Sequence, residues 1–430
     1  MELIMYTLRS ISGAIISPPH VFILIALMII FYFKNKKIAL MQKMVTGGKV
    51  DSAVELTLSQ FVVGIIGGIA GSLILTELGV KFNYECGIQY LFFISIILMF
   101  IKPKYICFSY SAGVLGGVSI LFEIISIVMP YTFNESIFEI DIMYLLLFVG
   151  VLHVVEGILV MIDGHRGAMP VFAESENKIF GGYRFKRYWA LPVAMIFTTM
   201  GSRIPNSIEI NMDIPKWWSL INGTNLGMAG ALALMPLYAM VGYSSITFTK
   251  DKRQKSLSSG IYIFIYGICV IAVSQVVRVG IIGRLAAVIF TPFAHEFMLK
   301  RQKKSEDKDE FEFVSDDDGL VILEISSDSQ MSQYGVEIGD KILYINGSGI
   351  SSEKDIYSML KKNLYRISIR IKKKNGEIHE FVHVHDKSRR LGILLVPKKV
   401  LKEEVTPIKE SSFKTILEEI KRVKDSQKDS

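Results

Sequence analysis

The chain has few of the residues on which secreted or disordered proteins depend. Only 3 of its 430 residues are cysteine and 21% are charged, whereas 50% are hydrophobic. The three cysteines are single and widely spaced, so neither a disulfide framework nor a zinc knuckle can be built from them. A disordered chain is excluded as well, because the mean hydropathy of +0.39 lies above the usual range of soluble proteins. The composition predicts an integral membrane protein.

Charge is unevenly distributed along the chain. Residues 1–299 hold 22 basic and 17 acidic side chains, and the shorter stretch 300–430 holds 26 and 24. We therefore predict a transmembrane domain over 1–299, a charged linker over 300–317, a soluble domain over 318–398 and a tail over 399–430. The net charge of each part is small and mixed in sign, which argues against nucleic-acid binding.

Apolar runs that approach the length of a membrane span recur throughout the first part. A spanning helix needs about 20 apolar residues. Nine such runs lie near residues 17–33, 57–80, 87–101, 105–129, 143–162, 189–205, 224–246, 259–277 and 279–298. The last two are separated only by the region of Arg278, so eight spans is the alternative count. The predicted fold class is a polytopic α-helical membrane domain of eight or nine spans, followed by a small α+β domain.

Basic loops orient these spans. Short cytoplasmic loops are enriched in Lys and Arg, and the basic segments KNKK, KPK, TKDKRQK and LKRQKK each follow an odd-numbered span. The alternation predicts nine spans, with the N-terminus outside and the soluble domain in the cytoplasm. If the last two runs formed one re-entrant element, the soluble domain would instead lie outside.

Several ionisable residues lie at or near membrane depth, where charge is costly and draws attention to function. They are Glu123, His153, Glu156, Asp163, His165 and Arg284. His153 and Glu156 are three residues apart and share one helix face. One interpretation is a proton or metal path. The other, which we favour, is pairing between helices, for example of Glu123 or Glu156 with an arginine.

Motifs of known catalytic sites are missing. An intramembrane metalloprotease needs HExxH, in which two histidines hold zinc and the glutamate activates water, and the sequence contains no such motif. HVVEG at 153–157 and IDGHR at 162–166 resemble the elements of that family only superficially. No phosphate-binding glycine loop or nucleophile elbow is present either. We expect no enzymatic activity, no cofactor and no metal site.

Residues 318–398 have a clear order of strands and turns. GLVILEI at 319–325 and KILYI at 341–345 predict strands, a helix is expected after Ser352, and an alternating hairpin turns at Asn375-Gly376. This order, with GVEIGDKILYINGSGI at its centre and LGI near its end, resembles the PDZ domain in its bacterial form. The resemblance implies a small, partly open β-barrel.

The PDZ resemblance also implies a peptide-binding groove. Such domains bind a peptide as an added strand at a sheet edge, and backbone amides of a glycine-containing loop receive its carboxylate. The residues that the resemblance assigns to this groove are Leu391, Gly392, Ile393, Leu394, Ile356, Tyr357, Leu360 and Arg390. The alternative is that Leu391 to Leu394 form a core edge strand and that the protein fills the groove itself.

The whole arrangement resembles the MinJ family of membrane adaptors in the Min division-site system of Gram-positive bacteria. The resemblance lies in a PPHVF segment that enters the first span, a basic loop directly after it, several further spans and the PDZ module. It implies a scaffold between a polar DivIVA-type protein and a MinD-type ATPase, in the cell membrane and at septa and cell poles. We therefore expect a multi-pass membrane adaptor that recruits partner proteins through peptide C-termini or internal strands.

Two other functions stay open at this point. One is a protease-like enzyme or pseudo-enzyme centred on His153 and Glu156, and the other is a transporter with a regulatory PDZ domain. The tail has Phe413, Ile416 and Leu417 at helical spacing, which predicts an amphipathic helix. That helix either packs on the soluble domain or serves a partner.

Overall fold

The structure is a computed structural model. It describes residues 2–18, 20–128, 140–175, 178–199, 207–210, 218, 231–306, 310–350, 352–362, 366–384 and 391–398. The predicted tail over 399–430 and Arg390 lie outside the described residues.

Helices form most of the first 306 residues. They are α1 (Glu2–Ile16), α2 (His20–Thr46), α3 (Ala53–Leu78), α4 (Tyr90–Ile101), α5 (Phe108–Val128), α6 (Ile142–Asp163), α7 (Lys252–Val273) and α8 (Ile281–Glu306). Within the described ranges, five are long and apolar enough to cross a membrane: α3, α5, α6, α8, and α7 together with the 3-10 turn that follows it. A sixth span is present if α1 and α2, which meet at 63°, are counted as one. We call residues 2–306, as far as they are described, the helical body.

Two of the predicted spans are wrong, because the runs at 189–205 and 224–246 contribute to long strands. Strands β3 (Lys178–Thr199) and β5 (Ala231–Thr247) pair antiparallel over most of their length. Both runs contain a proline, which disfavours a helix, although α8 accommodates Pro292. The buried parts of these strands are apolar on both faces, so they lack the alternation that distinguishes a strand from a buried helix. The run at 87–101 also differs, since α4 has only 12 residues.

Strand β3 is the centre of a six-stranded sheet. Strand β1 (Lys81–Asn83) pairs parallel with its end, and β2 (Met169–Ser175) pairs antiparallel with its start. Strand β4 (Ile208–Glu209) pairs with β5, and β6 (Phe313–Val314) pairs with β3. Because β6 follows α8 in the chain, part of the predicted linker belongs to this sheet.

Glycines let α3 lie directly on β3. A Cβ atom at Gly64 would lie 2.5 Å from the carbonyl oxygen of Ala190, and one at Gly68 would lie 2.3 Å from that of Pro192. Neither position has room for a side chain while the strand stays in place. The large side chain of Trp189 is fully buried in the same core. The long hairpin is therefore an internal part of the helical body.

The described residues within 318–398 form a second sheet with two helices, which we call the C-terminal unit. Its elements are β7 (Leu320–Ile325), α9 (Gln330–Gln333), β8 (Lys341–Ile345), β9 (Ser348–Gly349), α10 (Glu353–Lys362), β10 (Arg366–Lys372), β11 (Ile378–Val384) and β12 (Ile393–Leu395). The strand order is β11-β10-β8-β7-β12, with β9 beside β8. The strands, helix and hairpin predicted for this region are confirmed.

Strand β7 is buried on both faces. Leu320 and Ile322 lie in the core of the C-terminal unit, whereas Val321 and Leu323 lie in the apolar cluster of the helical body. Alternate residues of a strand point to opposite faces, so this single strand joins two cores. The C-terminal unit packs on the helical body through this face.

Candidate functional site

Strand β12 is the edge strand of the C-terminal sheet. It pairs antiparallel with β7, with Ile393 opposite Ile325 and Leu394 opposite Glu324. Among the residues that the structure describes, no strand pairs with its outer edge. An unpaired edge offers backbone N–H and C=O groups for strand pairing, but Ile393, Leu394 and Leu395 are only 6%, 5% and 3% exposed. Strand addition uses the backbone geometry of such an edge.

The loop before β12 is fixed in a conformation that favours glycine. Gly392 has a φ of +67°, and a Cβ atom there would lie 2.9 Å from Cβ of Ser329. The backbone N–H of Ser326 donates to the Gly392 carbonyl at 2.7 Å, and the Ser329 hydroxyl donates to the Leu391 carbonyl. The loop is thus held from both sides by the segment that follows β7.

The side chains assigned to the groove divide between two faces. Leu391, Ile393, Ile356 and Leu360 are buried together in the core of the C-terminal unit. Leu394 instead lies in the cluster of the helical body, because its side chain points to the opposite face of β12. Leu394 therefore does not line the same wall as Ile393.

The structure does not describe the side chains of two residues that were assigned to the groove. Tyr357 lies on α10, but its side chain, like Arg390 as a whole, is outside the described part of the structure. The described part of the predicted groove thus consists of a backbone edge above buried apolar side chains. Peptide binding itself stays a prediction.

The loop between α2 and α3 lies directly beside this candidate site. The carbonyl oxygen of Lys49 accepts hydrogen bonds from the Ser326 hydroxyl at 2.9 Å and from the Ser327 backbone at 2.7 Å. The Lys49 N–H donates to the Asp328 carboxylate at 3.1 Å, and the hydrogen bond from the Ser326 hydroxyl lowers the pKa of Asp328. The helical body therefore touches the same Ser326 to Ser329 segment that holds Gly392.

Two of the predicted intramembrane residues form an ion pair between helices. Nη1 of Arg284 on α8 lies 2.5 Å from Oε2 of Glu123 on α5. An ion pair between helices is what the pairing interpretation expects for these two residues. A carboxylate and a guanidinium that neutralise each other reduce the cost of charge at membrane depth.

Asp163, at the end of α6, is held by a buried network. Its Oδ2 accepts hydrogen bonds from Nε of Arg187 and from Nε1 of Trp189, each at 2.8 Å. The side chains of Asp163 and Arg187 are each only 2% exposed. Asp163 thus joins α6 to β3. His165 follows in the next turn, where burial lowers its pKa.

His153 has partners that the sequence pattern did not indicate. Its Nε2 lies 3.0 Å from Sγ of Cys107, and Nε2 of His295 lies 3.4 Å from the same sulfur. The three ligand atoms all lie within 4.8 Å of one another and can hold a metal ion. Cys107 and His295 are 46 and 142 positions from His153, so no local motif joins them. Their only sequence signal is a polar residue within or beside an apolar run.

The described part of the chain defines a class: a helical membrane protein with a β-rich C-terminal unit. In sequence, the chain is similar to the cell division topological determinant MinJ of Bacillus subtilis (strain 168), with 23% identity over 264 residues. The match covers 58% of this chain and 60% of the length of MinJ. No protein-family model and no solved structure matches the chain.

Proposed function

We propose that this protein is a multi-pass membrane adaptor in division-site placement, and that its C-terminal unit is a PDZ-type peptide reader. The observation that carries the proposal is the outer edge of β12, with which no described strand pairs, next to the left-handed Gly392. Similarity to a division determinant supplies the process. In this proposal the protein acts by binding its partners and catalyses no reaction.

The proposed ligand is an extended peptide, either a C-terminus or an internal strand. It would pair with β12 through its backbone, and the loop at Leu391 to Ile393 would receive a terminal carboxylate. The partners that fit the proposed process are a DivIVA-type polar scaffold and a MinD-type ATPase.

Basic helix ends support a cytoplasmic C-terminal unit. Lys49, after α2, and Lys252, at the start of α7, both contact this unit. The basic segment Lys300 to Lys304 lies at the end of α8, shortly before β6. Because basic residues mark the cytoplasmic side of membrane proteins, this orientation agrees with the predicted one although two of the predicted spans are strands.

A fluorescent fusion at native expression level tests the proposal. We expect enrichment at septa and cell poles, and a uniform membrane signal would contradict a role in division-site placement. A two-hybrid assay with DivIVA-type and MinD-type proteins then tests the partners. Removal of residues 318–430 should abolish their binding while the fusion stays in the membrane.

A further inference from the structure

Cys107, His153 and His295 meet in the interior of the helical body, outside the candidate peptide site. Cys107 directly precedes α5, His153 lies on α6, and His295 lies on α8. Both histidines are buried and Cys107 is partly buried. Three helices that are far apart in sequence therefore place one sulfur and two imidazoles together.

Hydrogen bonds define which imidazole nitrogens face the sulfur. Nδ1 of His153 lies 2.7 Å from the Val149 carbonyl oxygen, which can only accept, so Nδ1 of the neutral ring carries the proton. The Tyr110 hydroxyl donates to Glu296 at 2.9 Å, so its oxygen accepts from Nδ1 of His295 at 3.2 Å. In the neutral rings, both Nε2 atoms thus keep a lone pair.

Two imidazole lone pairs converge on the Cys107 sulfur, and the Ser109 hydroxyl also lies 3.2 Å from Nε2 of His153. A thiol has one proton and can donate to only one imidazole nitrogen. In histidines that bind a metal, the ring nitrogen that does not bind usually donates its N–H to an oxygen. Nδ1 of both histidines does so here, which leaves Nε2 of each to bind the metal. The arrangement therefore fits a cation at the point where the three side chains meet.

The distances fit zinc. Zn–S bonds of about 2.3 Å and Zn–N bonds of about 2.0–2.1 Å, at tetrahedral angles, separate sulfur from nitrogen by about 3.5 Å. The distances from Cys107 Sγ to Nε2 are 3.0 Å for His153 and 3.4 Å for His295. An outward shift of a few tenths of an ångström accommodates the ion.

Glu156 lies beside this group of three, outside the set whose ligand atoms all lie within 4.8 Å of one another. Its Oε2 lies 4.0 Å from Nε2 of His153, and its side chain is 14% exposed. A thiolate and a carboxylate neutralise the charge of a divalent ion, which suits a low-dielectric interior. Four protein ligands are typical of structural zinc sites, whereas catalytic sites keep one position open.

We infer that Cys107, His153 and His295 bind a structural zinc ion that ties together α5, α6 and α8, with Glu156 turning toward the ion as the fourth ligand. On binding, the Cys107 thiol loses its proton to solvent and the sulfur bonds to zinc. This inference is independent of the proposed adaptor function, because the site lies in the helical body and needs no peptide ligand.

The metal content of the purified protein tests the inference. We expect the full chain, purified in detergent without chelators, to hold about one zinc per molecule by mass spectrometry. After exchange with cobalt, the thiolate should give a charge-transfer band in the near ultraviolet. Cys107→Ser and His295→Gln should each abolish the zinc and the band.

Matched controls separate loss of the ligand from loss of the fold. Cys269→Ser, at an exposed cysteine of α7, should keep both signals. Tyr110→Phe removes the hydrogen-bond partner of His295 Nδ1, together with the bond to Glu296, and should weaken zinc binding about 10- to 100-fold. A wild-type chain that elutes as a folded species, holds no zinc and shows no cobalt band that depends on Cys107 would overturn the inference. Copper in place of zinc would overturn the identity of the ion.

Discussion

Nζ of Lys252, the first residue of α7, lies 2.8 Å from Oε2 of Glu324 in β7, so this ion pair lies at the contact between the helical body and the C-terminal unit. The Glu324 side chain is 2% exposed, whereas that of Lys252 is 24% exposed. Burial raises the pKa of Glu324, and Lys252 opposes this rise without cancelling it. The carboxyl group at the joint thus holds its proton more tightly when the unit is docked.

This pKa shift predicts that docking depends on pH. A raised pKa in the docked state contributes stability that is complete below the ordinary value of 4.5 and is lost as pH rises through the docked value. We therefore expect hydrogen exchange in β7 to slow as pH falls from the docked pKa toward 4.5, after correction for the intrinsic exchange rate. Glu324→Gln should remove this dependence, and the exposed Glu337→Gln should keep it. An unchanged dependence in Glu324→Gln would refute the role of this group.

The Asp163 network should be a large contributor to stability. Asp163→Asn leaves the guanidinium of the buried Arg187 without its counter-charge, and breaking a buried pair costs about 3–5 kcal/mol. Glu55→Gln breaks the exposed pair with Arg166 and should cost about 0–1 kcal/mol. Thermal unfolding in detergent compares the two variants. Equal midpoints would contradict a structural role for Asp163.

Gly392→Ala should destabilise the edge strand more than the same change at another left-handed glycine. Each substitution carries the cost of the left-handed conformation, about 1–2 kcal/mol. At Gly392 the added Cβ also meets Ser329 at 2.9 Å, whereas at Gly347, with φ +75°, it meets nothing within 4 Å. Hydrogen exchange in β12 should therefore rise more in Gly392→Ala than in Gly347→Ala. Similar rates in both variants would show that the contact with Ser329 is unimportant.

The loop after α2 should restrict access to the candidate site. A Cβ atom at Gly48 would lie 2.1 Å from Oγ of Ser326, so Gly48→Leu must push the loop away from the segment that holds Gly392. We expect faster exchange at Ser326 and in β12, with β8 and β10 unchanged. Gly117→Ala, which meets nothing within 4 Å, serves as the control. Unchanged exchange at Ser326 would contradict the contact.

The sequence predicts the C-terminal unit better than the helical body. Turns such as Asn375-Gly376 and alternating strands are local signals, so the order of elements at 318–398 agrees with the structure. The runs at 189–205 and 224–246 mislead because burial on both faces removes the alternation of a strand. Whether such a run forms a helix or a strand is decided by its neighbours, here α3 against Ala190 and Pro192.

Some residues of the candidate sites can be predicted from the sequence, and others can be found only from the packing of the helices. His153 and Glu156 are visible in the sequence as polar residues on one helix face, and Gly392 is visible through its motif. Cys107 and His295 are not, because their partnership with His153 depends on how α5, α6 and α8 pack. Leu394 points away from the predicted groove, since β12 is covered on both faces.

The position of division septa tests the central claim most directly. In cells that lack this protein, the fraction of septa near the poles should rise, and the wild-type chain should restore septa at midcell. A chain with Leu395→Pro, which removes a backbone donor from β12, should stay in the membrane but fail to restore them. Correct septum placement without the protein, or full rescue by a chain lacking residues 318–430, would contradict the account.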